Sequence, residues 1–331
     1  MPINNNIWIT WHQQARSKNL AKLLGLRLYE KQIDNNFISR HVGSFLWTCK
    51  ILIKERPKVV YIQLSFLLLI AVCLYKKIRN EDIYIVTDCH TKALRRSMRN
   101  DSLPNKFLRM IKLNCFKLVD LSIISNSEMI EDMEVLHENY IILPDKIPDM
   151  KDLDILSNAS DTNTTNYVVM VCSYAVDEPY LEMINAANYL PDDLTIYMTG
   201  KPPEEVKSIK YIPQNLQFTG YVSFEKYYRL IANAKCIVGL TTEKGCLQSC
   251  AYEGLAVKTP MVLSNTDALK NYFENSAIYT KHDAKSIAKS IKTAIRNKNE
   301  LISVIRNVKS QRDKQFNKQI SKLKNKTNLI M

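Results

Sequence analysis

Residues 246–265 constrain the fold of this chain more than any other stretch of the sequence. Their sequence, CLQSCAYEGLAVKTPMVLSN, indicates a loop, a helix, a turn and a strand in that order. Thr259-Pro260 ends the helix, because proline has no backbone N–H and disfavours helical geometry in the residue before it. Residues 261–263 then have the length and apolar character of a buried parallel strand. The stretch therefore predicts a helix whose free N-terminal N–H groups can receive an anion.

Apolar strand-like runs alternate with helical patterns along the whole chain, which is typical of doubly wound parallel sheets. A polar segment over residues 144–166 separates two such series. We predict a Rossmann-like domain over 1–150 and a linker over 151–166. A second Rossmann-like domain over 167–300 and a basic helical tail over 301–331 follow.

Charge is distributed unevenly over the 331 residues, whose formal net charge is +13. Residues 1–150 carry +7, residues 151–280 carry −5 and residues 281–331 carry +11. Basic ends suggest an anionic partner, either nucleic acid or an acidic lipid leaflet. Charge alone does not choose between these two partners.

The eight cysteines are scattered without a C-x-x-C pair, which supports neither a zinc site nor a disulfide framework. The N-terminus lacks the pattern of a signal peptide. The apolar run 59–75 is interrupted by Gln63 and Ser65, and it is short for a membrane span. These features predict a cytoplasmic protein.

YEGLAVKTPMVLS resembles the E-A-(M/L)-A-x-G-x-P-V-(V/I)-x-(S/T) signature in the donor domain of GT-B glycosyltransferases, in particular the family-4-like group (glycosyl transferases group 1). FTGYVSFEKYYRLIANAKCIVGLTT is similar to a second segment of that domain. The resemblance implies an α/β fold, GT-B, with two Rossmann-like domains facing a central cleft. By the same resemblance, the N-terminal domain over 1–150 binds the acceptor and the C-terminal domain over 167–300 binds the nucleotide-sugar donor.

By this resemblance Glu253 binds the ribose hydroxyls of the donor, and the backbone at the helix start faces its diphosphate. The candidate donor-binding residues are Glu253, Leu247, Gln248, Ser249, Cys250, Ser173, Lys201 and Glu243. The sequence departs from the family at Gly245, where a glutamate is usual, and at Lys258, where glycine is usual. The loop CSYAVDEPYLEM also lacks the family's arginine and lysine, for which Lys201 or Lys244 are candidate substitutes.

In the first domain, Asp88 and His90 follow a predicted strand, in the place where catalytic residues collect. They resemble the D-x-H motif of family-4-like enzymes and of chitobiosyldiphosphodolichol beta-mannosyltransferases. The resemblance implies that His90 lies near the transferred sugar, where it could accept the proton of the acceptor hydroxyl. Asp88 is either catalytic or structural. Arg16 is a candidate phosphate ligand or an exposed arginine at a helix start.

Two helical segments of the first domain carry further expectations. Residues 92–117 combine basic and apolar side chains, as interfacial helices do, and we predict that Arg95, Arg96, Arg99 and Arg109 face a membrane. Residues 43–55 are predicted to form a helix with Phe45, Leu46, Cys49, Leu52 and Ile53 on one face.

The function implied is that of a metal-independent hexosyltransferase that needs no cofactor beyond its nucleotide-diphosphate sugar. Its acceptor is a glycan or a lipid-linked hydroxyl, in cell-surface polysaccharide biosynthesis on the inner face of the cell membrane. The sugar, the acceptor and the stereochemistry stay open. The alternatives are a catalytically inactive membrane-associated partner of another transferase, a nucleotide-sugar epimerase and a nucleic-acid-binding protein.

Overall fold

The structure, a computed structural model, describes residues 5–31, 37–79, 82–91, 94, 103–150 and 166–328. The chain divides into two compact units. Unit 1 comprises Met1–Asp145 together with Gln315–Met331, and unit 2 comprises Lys146–Lys314. The predicted basic tail, residues 301–331, is therefore divided between the two units after Lys314. Most of the predicted linker, residues 151–165, lies outside the described residues.

Unit 1 is built around a six-stranded parallel sheet in the order β2-β1-β3-β4-β5-β6. The strand order reverses between β1 and β3, which is the topological switch point of this sheet. The strands are β1 (Ile7–Thr10), β2 (Arg27–Glu30), β3 (Val59–Gln63), β4 (Tyr84–Cys89), β5 (Leu121–Ile124) and β6 (Tyr140–Ile142). The helices are α1 (Ala15–Leu24), α2 (Phe37–Glu55), α3 (Phe66–Arg79), α4 (Leu103–Phe116) and α5 (Ile130–Glu134).

Helices cover both faces of this sheet. On one face, α2, α3, α4 and α5 pack against the strands through a core that includes Leu52, Leu69 and Phe116. On the other face, α1 packs beside the end of the C-terminal helix, whose Phe316 and Leu323 are buried there. Both faces are apolar because alternate strand residues point to opposite sides, and each side is covered.

The helix predicted over residues 43–55 lies within α2. Of the apolar residues predicted to share one of its faces, Leu52 is fully buried, whereas Leu46 and Ile53 are 62% and 59% exposed. The apolar residues of α2 cover more than one side of the helix. Their spacing therefore does not show which side packs against the sheet.

Unit 2 contains a second six-stranded parallel sheet, in the order β12-β11-β10-β7-β8-β9. This is the strand order of a dinucleotide-binding Rossmann domain, with its switch point between β7 and β10. The strands are β7 (Tyr167–Met170), β8 (Thr195–Thr199), β9 (Leu216–Gly220), β10 (Ile237–Gly239), β11 (Met261–Ser264) and β12 (Ala277–Thr280). The helices are α6 (Tyr180–Ala187), α7 (Glu204–Lys207), α8 (Phe224–Asn233), α9 (Ser249–Val257), α10 (Asp267–Phe273), α11 (Ala284–Arg296) and α12 (Lys298–Asn328).

Two glycines let α9 approach its sheet closely. A Cβ at Gly254 would lie 2.5 Å from Sδ of Met261 in β11, and one at Gly239 would lie 2.5 Å from Sγ of Cys250. Neither distance is compatible with an ordinary carbon–sulfur contact. The start of α9 is thus held against the end of β10, and the middle of α9 against the start of β11.

The strands β2 and β12 were not predicted from the sequence. Both are four-residue strands at an edge of their sheet, and most of their side chains are only partly buried. Short edge strands carry a weak apolar signal, since one side of the ladder is open.

Candidate functional site

The switch point of unit 2 brings together the loops that follow β7 and β10. Thr241 Oγ1 donates to the carboxylate of Asp177 at 2.9 Å, and the N–H of Thr242 donates to the carbonyl of Asp177 at 2.7 Å. The N–H of Thr241 donates to Ser264 Oγ at 2.8 Å, which ties the same loop to the end of β11. These bonds fix two loops at the carboxyl edge of the sheet, where ligands bind in folds of this type.

The residue at the start of α9 does not cap the helix with its side chain. Gln248 occupies the cap position, and its Nε2 donates instead to the carbonyl of Leu240 at 2.9 Å. Ser249, the first residue of the helix, is exposed, whereas Cys250 is buried. The helix therefore presents its first N–H groups and the positive end of its dipole beside the β10 loop, as the sequence predicts.

Glu253 lies one turn into α9 and is half-buried. Its Oε2 accepts a short hydrogen bond from the hydroxyl of Tyr227 in α8. Burial raises the pKa of Glu253 above its usual value of 4.5, although the bond from Tyr227 acts in the opposite direction. Burial and the neighbouring carboxylate also raise the pKa of Tyr227, so this hydroxyl remains a donor at neutral pH. One carboxylate oxygen is thus held by the protein, which leaves Oε1 to accept from a ligand.

The loop after β7 forms a nest of donors around a carboxylate of its own chain. Glu178 Oε2 accepts from the N–H and the Oγ of Ser173, at 2.9 and 3.0 Å, and from the N–H of Ala175 at 2.9 Å. Backbone N–H groups that converge on one point in this way form an anion-binding concavity. The predicted donor residue Ser173 therefore lies at an anion site, and Glu178 occupies that site.

Lys201 and Glu243 lie at the same edge of the unit 2 sheet. Lys201 is exposed and follows Gly200, where a Cβ would lie 2.3 Å from the carbonyl oxygen of Cys172. Its loop thus packs directly against the loop after β7. Glu243 is half-buried, and its N–H donates to Thr241 Oγ1 at 3.1 Å. Leu247 is half-buried against the apolar core below α9.

In unit 1 the structure places Arg16 and Asp88 in a buried ion pair. Nε of Arg16 lies 3.1 and 3.0 Å from the two oxygens of Asp88, and an Nη lies 2.9 Å from Oδ1. The other guanidinium contacts are to Asp145 at 2.7 Å and to the carbonyl of Leu143 at 2.9 Å. Burial alone would lower the pKa of Arg16, but the charges of Asp88 and Asp145 raise it.

This ion pair bears on two predicted roles. Arg16 is not an exposed residue at a helix start, because only 7% of its side chain is accessible. A phosphate would have to compete with Asp88 and Asp145 for its N–H groups. Its role as a phosphate ligand stays a prediction, as does a catalytic role for Asp88.

His90 lies at the end of β4, beside this ion pair. Its Nε2 is 3.9 Å from Oδ2 of Asp88, which is too long for a hydrogen bond. About one third of its side chain is accessible, at 34%, although Nε2 itself is buried without a hydrogen-bond partner among the described residues. Asp88 therefore forms its hydrogen bonds with Arg16 and makes none with the imidazole of His90.

Of the residues predicted to face a membrane, Arg95, Arg96 and Arg99 lie outside the described residues. Arg109 is exposed on α4. Lys112 of the same helix is buried, which lowers its pKa, and its Nζ donates to the carbonyl of Leu94 at 3.3 Å. The basic residues of this segment therefore do not all share one surface.

None of the helices in the described part of the chain combines the length and the apolar character that a membrane span requires. No group of three or more His, Cys, Asp or Glu residues there is arranged to hold a metal ion.

The two six-stranded parallel sheets with their interleaved helices form the GT-B fold predicted from the sequence. A family model described as glycosyl transferase-like matches residues 181–319, which confirms the resemblance of this part of the chain to glycosyltransferases. No sequence among the curated proteins matches the chain. The similarity to beta-mannosyltransferases stays a prediction.

Solved structures share this fold at low sequence identity. Sucrose-phosphate synthase from Thermosynechococcus elongatus has a TM-score of 0.74 at 11% identity, over 98% of this chain and 98% of its own. HepE from Anabaena, in complex with UDP and glucose, has a TM-score of 0.67 at 12% identity, over 97% and 90%. A Listeria monocytogenes protein assigned as a UDP-N-acetylglucosamine 2-epimerase has a TM-score of 0.62 at 9% identity, over 92% of this chain and 91% of its own.

Sequence reasoning missed three residues of the unit 2 site. Tyr227 lies in the second segment that resembles the family, and its hydroxyl is a donor suited to a half-buried carboxylate. Glu178 lies in the loop that lacks the family's basic residues, and no motif points to it. His282 belongs to no motif, and its Nε2 lies 2.8 Å from Ser264 Oγ, near the β10 loop. Burial lowers the pKa of His282, so the ring is neutral near pH 7.

Proposed function

We propose that the chain is a glycosyltransferase that takes its sugar from a nucleoside-diphosphate donor bound by unit 2. The observation that carries this proposal is Glu253, which Tyr227 holds one turn inside an uncapped helix at the switch point. A carboxylate at that distance from a helix N-terminus suits a ribose hydroxyl beside a diphosphate. UDP is the nucleotide we favour, because HepE, which shares the fold, is described in complexes with UDP and with UDP-glucose.

Departure of the diphosphate is the electrostatic step that the protein must assist. The N–H groups at the start of α9 lie where negative charge develops on the leaving group, and fixed dipoles stabilise such charge without reorganisation. Lys201, exposed after β8, is the candidate cation for the same phosphates. In unit 1, His90 is the candidate base for the acceptor hydroxyl.

The donor sugar, the mechanism and the acceptor are also proposals. We infer a hexosyl donor, a mechanism without a metal, and an acceptor that is a glycan or a lipid-linked hydroxyl of a cell-surface polysaccharide. The exposed Arg109 on α4 supports a cytoplasmic protein that binds the inner face of the membrane.

A second candidate function is that of a catalytically inactive partner of another transferase. The donor nest after β7 favours it, because an acidic side chain occupies the place where a diphosphate would need positive charge. An epimerase also shares the fold, as the Listeria protein illustrates.

A thermal-shift screen of the full chain against UDP, GDP, ADP and CMP, with their sugar conjugates, tests the donor site. Ligand that binds only the native state raises its melting temperature. We expect a shift with one nucleotide class that is lost in Glu253→Ala. Donor binding without release of nucleotide, in the presence of membrane lipid extract as acceptor, would favour the inactive partner. Conversion of the sugar nucleotide without any acceptor would favour the epimerase.

A further inference from the structure

Seven large apolar side chains are exposed on three consecutive helices of unit 1. They include the most exposed of the set, Ile78 at 79%, together with Leu46 at 62% and Phe107 at 58%. The full set is Val42, Leu46 and Ile53 on α2, Leu74 and Ile78 on α3, and Phe107 and Met110 on α4. Single exposed apolar residues are normal on a protein surface, but a concentration on adjacent elements marks an interaction site.

These three helices cover the same face of the unit 1 sheet. Their inner sides contribute Leu52, Leu69 and Phe116 to one apolar core. A hydrogen bond of 3.3 Å joins Lys76 Nζ of α3 to the carbonyl of Leu118, directly after α4. The exposed residues therefore lie on the side of the helices that faces away from the core. We call this surface, formed by the outward sides of α2, α3 and α4, the three-helix face.

The charge on the three-helix face has one sign. The three helices contain nine Lys and Arg residues and a single acid, Glu55. Glu55 is 12% accessible and is paired with Arg27 of β2, so it offers little negative charge to a partner. The exposed basic residues are Lys50, Lys54, Lys77, Arg79, Lys106 and Arg109.

We propose that the three-helix face binds the surface of an anionic lipid bilayer. Aliphatic and aromatic side chains with lysines around them suit the boundary between headgroups and acyl chains, because the apolar groups insert while the ammonium groups stay at the phosphates. Protein–protein interfaces, by contrast, are depleted of lysine. The proposal rests on the membrane association proposed above, and it extends the contact from the segment 92–117 to α2 and α3.

Co-sedimentation with lipid vesicles tests this surface directly. The full chain is mixed with phosphatidylcholine vesicles that contain or lack phosphatidylglycerol. We expect binding only to the anionic vesicles, and weaker binding as salt is added. The double variant Leu74→Glu/Ile78→Glu should bind at least about tenfold more weakly, because it places two carboxylates where apolar area would be buried. Tyr211→Glu, at a 65% exposed residue of unit 2, is the matched control and should bind as the parent does.

Several results would overturn the proposal, and they can be told apart. No binding of the parent chain to anionic vesicles would remove membrane association altogether. Equal binding by the parent and the Leu74→Glu/Ile78→Glu variant would place the contact on another surface. A dimer in sedimentation velocity that the same variant dissociates would make the face an interface between copies of this chain. Tryptophan fluorescence shows whether unit 1 of the double variant is folded, because Trp8, Trp11 and Trp47 all belong to that unit. The affinity for UDP, measured in parallel, tests the donor site of unit 2 separately.

Discussion

The hydroxyl of Tyr227 donates its hydrogen bond to Oε2 of Glu253, which joins α8 to the first turns of α9. The bond orients a half-buried carboxylate whose pKa is raised by burial. It leaves the second oxygen free to accept from a ligand hydroxyl. Tyr227 thus orients Glu253, the residue on which the proposed donor site depends.

Tyr227→Phe removes this orienting bond. We expect the dissociation constant of UDP to rise about tenfold, or about 1.4 kcal/mol, which is within the range of a hydrogen bond to a charged group. The dissociation constant of 2′,3′-dideoxy-UDP should not change, because that ligand lacks the hydroxyls that Glu253 would bind. Isothermal titration of both nucleotides measures the two effects. Tyr228→Phe, on the same helix, is the control. A parallel loss for both nucleotides would mean that Tyr227 acts only through the fold.

Glu178→Gln tests whether the nest after β7 receives the diphosphate. Glutamine keeps an oxygen for the N–H groups of Ser173 and Ala175 but removes a negative charge from the site. Two like charges about 4 Å apart in a partly solvated site repel by several kcal/mol at most. We expect the variant to bind UDP several-fold more tightly than the parent, with little change in its affinity for uridine. Weaker UDP binding would show instead that the carboxylate is needed to shape the loop.

Asp88→Ala should destabilise unit 1 because it leaves the buried guanidinium of Arg16 without its main partner. Removal of one member of a buried ion pair costs about 3–5 kcal/mol. Asp145→Ala should cost about 1 kcal/mol or less, since that carboxylate is 38% accessible. Urea denaturation followed by tryptophan fluorescence suits this comparison, because Trp8, Trp11 and Trp47 all belong to unit 1. Equal midpoints for the two variants would mean that Asp88 is not the principal partner.

Lys258→Gly should stabilise unit 2 by about 0.5–1 kcal/mol. Lys258 has φ 62° and ψ 33°, a left-handed conformation at the end of α9. This conformation destabilises a residue with a Cβ by about 1–2 kcal/mol. Glycine avoids that strain, but it loses more conformational entropy on folding, so the net gain is smaller. Thermal unfolding by circular dichroism measures the change. Lys258→Ala is the control and should give no gain, because alanine also carries a Cβ. Equal effects of the two substitutions would contradict this explanation.

Much of the fold could be predicted from the sequence because central parallel strands are continuous apolar runs. β1 and β11 are examples, since each is buried on both faces and flanked by turn residues. The edge strands β2 and β12 lack that signal. The exposed Leu46 and Ile53 share a helix with the buried Leu52, and an apolar pattern on a helix does not say which of its members meet the sheet.

The candidate site could be predicted only where a local motif carries it. Glu253 and the start of α9 lie within a few residues of each other in the sequence, so their relationship is encoded in spacing. Tyr227 is 26 residues from Glu253, and Arg16 is 72 residues from Asp88. Contacts of that range depend on the strand order and on packing, which a single sequence does not specify.

Titration of UDP into the parent chain and into Glu253→Gln over a series of pH values tests the central claim most directly. The carboxylate form of Glu253 accepts from ribose hydroxyls, and burial raises its pKa. Affinity in the parent should therefore fall as the pH is lowered through a pKa above 4.5, whereas the Glu253→Gln variant should bind weakly at every pH. Glu225→Ala, an exposed residue of α8, should behave as the parent does. Equal affinity for UDP in the parent and in Glu253→Gln would contradict the donor site proposed for unit 2.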